Sequence, residues 1–509
     1  MSIIGAGNNR STLRSVIKEW RAADKAGSRF SFMTDILLTH AYFLKYDVIE
    51  RRVMKPYPPL GILYLSAYLK RAGFSVDVFD STFRDPADFE ETVRRLKPKI
   101  VGIYANIITR DNVFRMAKIA KENGVRFVLS GGPDAPEWAD LYFQQGIDII
   151  GTNEGERTLE QLIPWLHEGG MSGLEDIPGI IFLKNGRVYR TAPRPPITDL
   201  DSLPWPDRGV LVMEDYFKAW KSRHGESSVS LITARGCPFH CAWCSSEVFG
   251  HTHRQRSPAN VVDEMLMIKA TYNPDIMWIS DDVLTINRKW SMQFVDEVQR
   301  RGAQHPYECL SRVDLVDKDI LAGLKKSGCF RIWYGAESGS QKVLDSMTKG
   351  TTIEQVREAS RLTQQMGIQA GFFILLGYPD ETTADIRKTI DLLKQTRPDV
   401  FGTSVAFPMK GTAFYERVQD RIFANENWSS RNQNKLLFKA KYSRLYYWFA
   451  VRWLVKEVNV ARMWRQKKRP YRKIALEALK VAVARVGVAA VDLASLGRTQ
   501  PKPLTHDHA

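Results

Sequence analysis

Two runs of alternating strand-like and helix-like segments, separated by a proline-rich stretch, limit what this chain can fold into. In the first run ILLTHA, SVDVFD, IVGIYAN, RFVLSGG and IDIIG are short, apolar and rich in β-branched residues, as strands buried on both faces are. Between them lie longer stretches with helical spacing of apolar residues. One is PPLGILYLSAYLKRAG, with Pro58 and Pro59 at its start and Gly73 at its end. Parallel strands need a crossover, and a helix supplies it. Residues 33–170 are therefore expected to form an α/β domain: an open, five-stranded parallel sheet with helices on both faces. Ligands of such sheets bind beyond the carboxyl ends of the strands, where the strand order reverses. The second run, residues 226–415, offers SVSLITAR, IMWISDD, YECLS, FRIWYGAES, IQAGFFILLG and VFGTSVAF with helical stretches between them. Six parallel strands predict a partial (βα)6 barrel, with its functional groups at the strand carboxyl ends.

The rest of the chain differs in character. Residues 1–32 are an extension with no apolar run long enough for a signal peptide, and Met33 is a plausible second start. Residues 171–225 begin like a hairpin, with Asn185-Gly186 as its turn, and become Pro-rich; they are expected to link the two domains. Residues 416–509 are helical, aromatic and basic. The chain carries a formal net charge of +16, and eight Lys or Arg fall between Lys456 and Lys473. The tail admits two readings: helices that cap the barrel with a solvated basic face, or a surface that meets an anionic membrane or a partner. No apolar run approaches the roughly 20 residues of a membrane-spanning helix.

Only five cysteines occur, and three of them lie in ARGCPFHCAWCSS as Cys237, Cys241 and Cys244. Cys309 and Cys329 stand apart and read as buried structural residues. That is no disulfide framework, and it fits a reducing cytoplasm. Zinc takes four ligands, often as two Cys-x2-Cys pairs. No second pair exists, although His240, His251 and His253 leave a Cys3His site open. A four-iron cluster bound by three thiolates keeps one iron for another ligand.

The Cys-x3-Cys-x2-Cys loop after the first barrel strand, with aromatic Trp243 before the third cysteine, resembles the radical S-adenosylmethionine (SAM) superfamily. The resemblance implies a [4Fe–4S] cluster on Cys237, Cys241 and Cys244 whose open iron binds SAM. WISDDVLT resembles that family's second-strand motif, which makes Ser280, Asp281 and Asp282 candidates for SAM. Arg312 follows the third strand. YGAESGS resembles the fourth-strand motif, with Glu337 and Ser338; GFFILLGYPDET resembles the fifth, with Gly377 at its end. FPMKGTAFY is similar to the sixth-strand end, with Lys410 where proline is frequent.

Placed before such a barrel, the first domain is similar to the Rossmann-like cobalamin-binding domain of the B12-dependent radical SAM class. VLSGGPDA and GTNEGERTL occupy the places of its Gly-Gly and Gly-Glu-Gly-Glu turns. Ser130, Gly131, Gly132, Glu154, Gly155 and Glu156 are thus candidates for cobalamin, with Asn153 where the class has glycine. His40 ends the first strand but lies in no Asp-x-His-x-x-Gly motif, so cobalt is expected to lack a protein histidine.

The resemblance implies methylation of an unactivated carbon of a small molecule through a 5′-deoxyadenosyl radical. The alternative is oxidation or cyclisation like that of the anaerobic magnesium-protoporphyrin ester cyclase, with a hydrophobic substrate such as a tetrapyrrole. No acid–base dyad is expected, and no catalytic side chain is assigned. An electron donor of flavodoxin or ferredoxin type is implied. Radical SAM enzymes that modify tRNA carry a second cysteine trio before the barrel; this chain has no cysteine before Cys237, so nucleic acid is not expected. A cytoplasmic location is expected, with the tail as the place of any peripheral membrane contact.

Overall fold

The computed structural model describes residues 34–244, 249–423 and 436–496. The extension at 1–32 and the second start at Met33 lie outside the described residues, as do 424–435 and 497–509 of the tail. The chain divides into two compact units, Met1–Gly236 with Glu247–Trp278 and Asp296–Ala303, and Cys237–Ser246 with Ile279–Val295 and Gln304–Ala509.

The first unit is built on β1 (Ile36–His40), β2 (Val76–Phe79), β3 (Ile100–Tyr104), β4 (Phe127–Gly131), β5 (Ile149–Gly151), β6 (Ile180–Lys184) and β7 (Arg187–Arg190). Their order is β2-β1-β3-β4-β5-β6-β7. The first five pair in parallel, as their apolar runs predict. Side chains alternate between faces along a strand. Leu37, Val101, Ile103 and Val128 pack in one core cluster, whereas Ile36, Leu38, Ile100 and Leu129 pack in the other. Helices form where caps allow. Asp85 and Asp88 make a capping box at Pro86–Leu96, with proline at its first position. The order reverses at β1, so the ligand crevice of this topology falls at the carboxyl ends of β1 and β3.

The linker expectation needs correction. β6 and β7 join the first sheet as an antiparallel extension of β5. Asn185 and Gly186 turn the hairpin at φ of 51° and 74°, the left-handed pair such a two-residue turn demands. Ile180, Ile181 and Phe182 are buried there. A two-stranded hairpin cannot stand alone, and an open sheet edge is what stabilises this one. A further helix, Met213–His224, also forms within the expected linker. It is anchored by Trp220, which is fully buried and donates Nε1–H to the Pro56 carbonyl at 2.8 Å.

The second sheet contains β8 (Ser228–Leu231), β11 (Ile276–Ile279), β12 (Tyr307–Ser311), β13 (Cys329–Glu337), β14 (Gln369–Leu376) and β15 (Val400–Val405), in the order β15-β14-β13-β12-β11-β8. It is the parallel, curled half-barrel that six βα repeats predict; β12 to β15 pair in parallel, with register shifts at Tyr307/Glu308 and Gly335/Glu337. Sequence reading missed a two-stranded antiparallel pair, β9 (Ala234–Arg235) with β10 (Arg254–Gln255), which brackets the cysteine loop in sequence. The tail folds as helices Arg444–Trp464 and Tyr471–Leu496. Lys456 pairs with Glu477 and Arg485 with Glu457 between them.

Candidate functional site at two strand ends

The cysteine loop begins at a glycine that no other residue can replace. Gly236 has φ +83°, and a Cβ there would lie 2.1 Å from the Thr252 carbonyl oxygen. Beyond it Cys237 is buried, Cys241 half-buried and Cys244 exposed. Backbone bonds pin the loop: the Ala242 N–H donates to the Met347 carbonyl at 2.9 Å, and the Ala242 carbonyl accepts from the Phe414 N–H at 2.8 Å. The Cys244 N–H donates to the Cys241 carbonyl at 3.0 Å. Burial pushes the Cys237 thiol up, with the Asp282 charge adding to it; a metal must displace that proton to bind. Among the described residues no three Cys, His, Asp or Glu side chains converge on one point to hold a single ion. Three thiols spread along a pinned loop suit a four-iron cluster, in which each cysteine takes its own iron.

Two buried cations border this loop. The Arg312 guanidinium lies 3.7 Å from the Phe239 ring centroid, and its Nη1 is 3.9 Å from the Cys241 Sγ. Asp314 grips it through two bonds of 3.0 Å, and the Lys349 carbonyl accepts a third. Lys349 was not anticipated. Its Nζ sits 4.9 Å from the Trp243 ring centroid and 3.2 Å from the Glu337 Oε1. Glu337 ends β13 at φ +56°, after a register shift between Gly335 and Glu337. Such a bulge re-aims a strand-end side chain. A Cβ on Gly335 would come within 2.5 Å of the Glu337 Oε1 and 2.6 Å of the Lys349 Nζ. That close approach accounts for the glycine of YGAE. Burial raises the Glu337 carboxyl above its ordinary range, and Lys349 opposes the shift.

The structure thus gathers Trp243, Arg312 and Glu337 around Lys349, with Cys241 beside Arg312. Asp281 is buried at the end of β11, with Ser280 half-buried beside it. Gly377 ends β14 at φ +84° and donates its N–H to the Glu381 Oε2 at 2.7 Å. Ser338 is different. Its buried hydroxyl meets the Thr389 hydroxyl at 3.2 Å and accepts the Ser340 N–H, also at 3.2 Å. It ties a turn to a helix. Cys309 and Cys329 are buried with their sulfurs 4.0 Å apart.

In the first unit, Gly132 lies hard against the protein's own backbone. It has φ +109°, and a Cβ would lie 2.3 Å from the Ala105 carbonyl. A Cβ on Gly131 would meet nothing nearer than the Gly151 carbonyl, at 3.8 Å, so bare backbone is left at the end of β4. Three other candidates are engaged within the protein. The Ser130 hydroxyl donates to the Ile103 carbonyl at 3.1 Å. Glu154 receives Arg235 at 2.7 Å, Arg254 at 2.8 Å and the Ile197 N–H at 2.7 Å, and Glu156 receives Arg235 at 2.6 Å. All four charged groups are buried, where a carboxylate without a partner is costly. They therefore form a clasp on β9 and β10, and both glutamates reach the cofactor turn already paired within the protein. The sequence held no sign of it, because Arg235 and Glu154 lie 81 residues apart. In the same turn Asn153 takes φ +55°. Asparagine tolerates that region, which explains its standing where the class has glycine. Gly155 has an ordinary φ of −87°, but a Cβ there would press on the Leu65 Cδ2 at 3.1 Å.

His40 has both ring nitrogens in use. Nε2 meets the Asp80 Oδ1 at 2.9 Å, and Nδ1 accepts the Tyr42 N–H at 3.3 Å. Tyr216 donates to the other oxygen of Asp80 at 2.9 Å. His40 is thus held by this network.

Residues 231–393 match the family model for the radical SAM superfamily, and residues 47–163 match the B12 binding domain. The chain is 30% identical over 389 residues to an uncharacterized methyltransferase of Pyrococcus horikoshii, covering 75% of this chain and 83% of that one. It is 29% identical over 377 residues to the anaerobic magnesium-protoporphyrin IX monomethyl ester cyclase of Rubrivivax gelatinosus, covering 72% and 67%. In fold it is similar to the cobalamin-dependent SAM radical enzyme OxsB, with a TM-score of 0.71 at 15% identity over 90% of this chain and 72% of that one. With a cysteine loop beyond one sheet and a glycine cradle beyond the other, this chain belongs to the radical SAM superfamily, among the enzymes that carry a B12-binding domain and use a [4Fe–4S] cluster, SAM and cobalamin.

Proposed function

We propose that the chain transfers a methyl group to an unactivated carbon of a small-molecule substrate. The observation that carries this reading is the pairing of both domains in one chain whose relative over 389 residues is named a methyltransferase. When bound, the cluster with SAM supplies a 5′-deoxyadenosyl radical, and cobalamin supplies the methyl group. Cys237, Cys241 and Cys244 hold the irons. Arg312, fixed by Asp314 and the Lys349 carbonyl, keeps a positive charge beside the Cys241 sulfur. Glu337 and Lys349 present an acceptor and a donor at the end of β13, suited to the hydroxyl and carboxylate groups of SAM. Asp281 and Ser280 end β11 and serve the SAM amino group, while Gly377 offers backbone to its adenine. The Gly131–Gly132 backbone would take the cobalamin tail, and the His40 ring is held by Asp80 and Tyr42. An external one-electron donor of flavodoxin or ferredoxin type supplies the electron.

The second reading, oxidative cyclisation of a tetrapyrrole or another hydrophobic substrate, rests on the 29% identity to the Rubrivivax cyclase. Both readings are tested by anaerobic reconstitution with iron, sulfide, SAM and methylcobalamin. The expected result is 5′-deoxyadenosine formation that Cys241→Ala abolishes, with cobalamin retained through gel filtration. Activity that survives in Cys241→Ala refutes the cluster assignment, and failure to retain cobalamin refutes methyl transfer.

A further inference from the structure

The helix Tyr471–Leu496 has two apolar faces, and only one of them is packed. Ile474, Val481, Ala484 and Val488 are buried. Phe449 of the preceding helix packs where Gly487 leaves room; a Cβ there would lie 2.6 Å from the ring. The opposite face carries Leu476, Leu479, Val483, Val486 and Leu493, exposed by 54%, 63%, 58%, 68% and 69%. Their spacing of three, four, three and seven residues keeps them in one stripe along the helix. Ala475, Ala482 and Ala489 are exposed beside it, and no acidic residue interrupts it. Monomeric soluble proteins rarely leave so continuous an apolar stripe uncovered.

The stripe begins at a basic corner. Arg465, Lys467, Lys468, Arg469, Arg472 and Lys473 are all exposed where the two helices join. Trp464 and Tyr471 are exposed at 46% and 64% in the same corner. They meet edge-on at 6.2 Å, with the Arg469 guanidinium 5.7 Å from the Trp464 centroid. An open cleft of about 670 Å³ runs between the helices, lined by Val460, Trp464, Ala478, Val481, Ala482 and Val486 among others.

We propose that this helical pair docks on an anionic lipid surface, with the stripe from Leu476 to Leu493 in the headgroup–acyl boundary and the basic corner on the headgroups. Trp464 and Tyr471 supply apolar bodies with polar edges, which suit that boundary. No helix among the described residues is long and apolar enough to cross a membrane, so the helix lies along the surface. Charge argues for lipid over a second copy of the chain. The acids of the two helices are engaged: Glu457 by Lys394 and Arg485, Glu477 by Lys456 and Lys480, and Asp492 by Thr383. A second copy packed through these same two helices would therefore bring no unpaired carboxylate from their described residues to meet six exposed cations, whereas an anionic bilayer offers negative charge to all of them.

The test is flotation of the full-length, cofactor-loaded protein with vesicles of phosphatidylcholine alone or with phosphatidylglycerol added. The protein should float with the phosphatidylglycerol vesicles only, and less as salt rises. Lys467→Gln, Lys468→Gln and Arg469→Gln together should weaken binding about a hundredfold, at ~1 kcal/mol for each charge near the surface. Leu479→Ser with Val486→Ser should weaken it at least about tenfold while leaving helicity and iron content unchanged, since both side chains are more than half exposed. Equal flotation with both vesicle types, no flotation at all, or unchanged binding by the serine variant overturns the proposal. So does a wild-type dimer in solution that the serine variant dissolves, which would assign the stripe to a second copy.

Discussion

Glu381 makes this protein less stable as pH rises, and Glu381→Gln removes that dependence. The carboxyl is fully buried after β14. Its Oε2 accepts the Gly377 N–H, while Oε1 has no hydrogen-bond partner among the described residues. Burial, with the Asp385 charge adding to it, pushes its pKa up to about 8 from 4.5, and the single backbone bond opposes the shift only in part. From pH 4.5 upward the unfolded chain loses this proton while the folded chain keeps it until about 8. The unfolded state then binds fewer protons, so stability falls with pH. At ~1.4 kcal/mol per unit the loss reaches about 3 kcal/mol by pH 7 and approaches about 5 kcal/mol above pH 8. Glutamine accepts the same backbone bond and cannot ionise. Urea midpoints of wild type and Glu381→Gln, followed by tryptophan fluorescence from pH 5 to 8.5, should converge toward the acid end. They should diverge steadily above it, with the variant gaining. A constant difference across that range, or a variant that loses ground as pH rises, would refute the reasoning.

Other substitutions separate structural from functional groups. Arg235→Met leaves Glu156 without its cation and Glu154 with only one, and should cost about 3–5 kcal/mol in thermal or urea unfolding; a cost below 1 kcal/mol would mean the clasp is not closed in solution. Lys349→Met strands Glu337, so it should destabilise strongly, whereas adding Glu337→Gln should restore most of the stability but not SAM affinity. Recovery of both in the double variant would make the pair purely structural. His40→Asn should leave the axial coordination of bound cobalamin unchanged in electron paramagnetic resonance, and loss of a nitrogen coupling would show that the histidine does reach cobalt.

How much of this was legible in the sequence follows the range of each interaction. Strands and crossover helices showed because apolar spacing and caps act within a few residues, as in Asp85 with Asp88 or Thr382 with Asp385. The hairpin β6–β7 was visible as a hairpin, but its place was not, since that depends on pairing with β5 about thirty residues earlier. The cysteine trio showed because three thiols must lie on one loop. The groups around it did not: Arg312 meets Cys241 across 71 residues, and Lys349 meets Glu337 only because a bulge turns β13 at its end. Lys349 stands between two helices, where a lysine reads as surface until the fold buries it.

The turn from Asn153 to Glu156 shows why a family motif needs the structure before its residues receive roles. Similarity placed both glutamates at the cofactor, yet each carboxylate is engaged by arginines that flank the cysteine loop in sequence. Glu154, held by two guanidiniums and a backbone N–H, has little capacity left for a ligand, and Glu156 is held by one guanidinium. What the turn offers is geometry: Asn153 reverses the chain at φ +55°, and Gly155 clears Leu65. The same division runs through the Ser130–Gly132 turn, where the hydroxyl donates to the Ile103 carbonyl, Gly132 packs against Ala105 and Gly131 leaves room. Cobalamin affinity should therefore respond to a methyl group added at Gly131 far more than to the loss of the Ser130 hydroxyl. Replacing the glutamates should first be felt as lost stability.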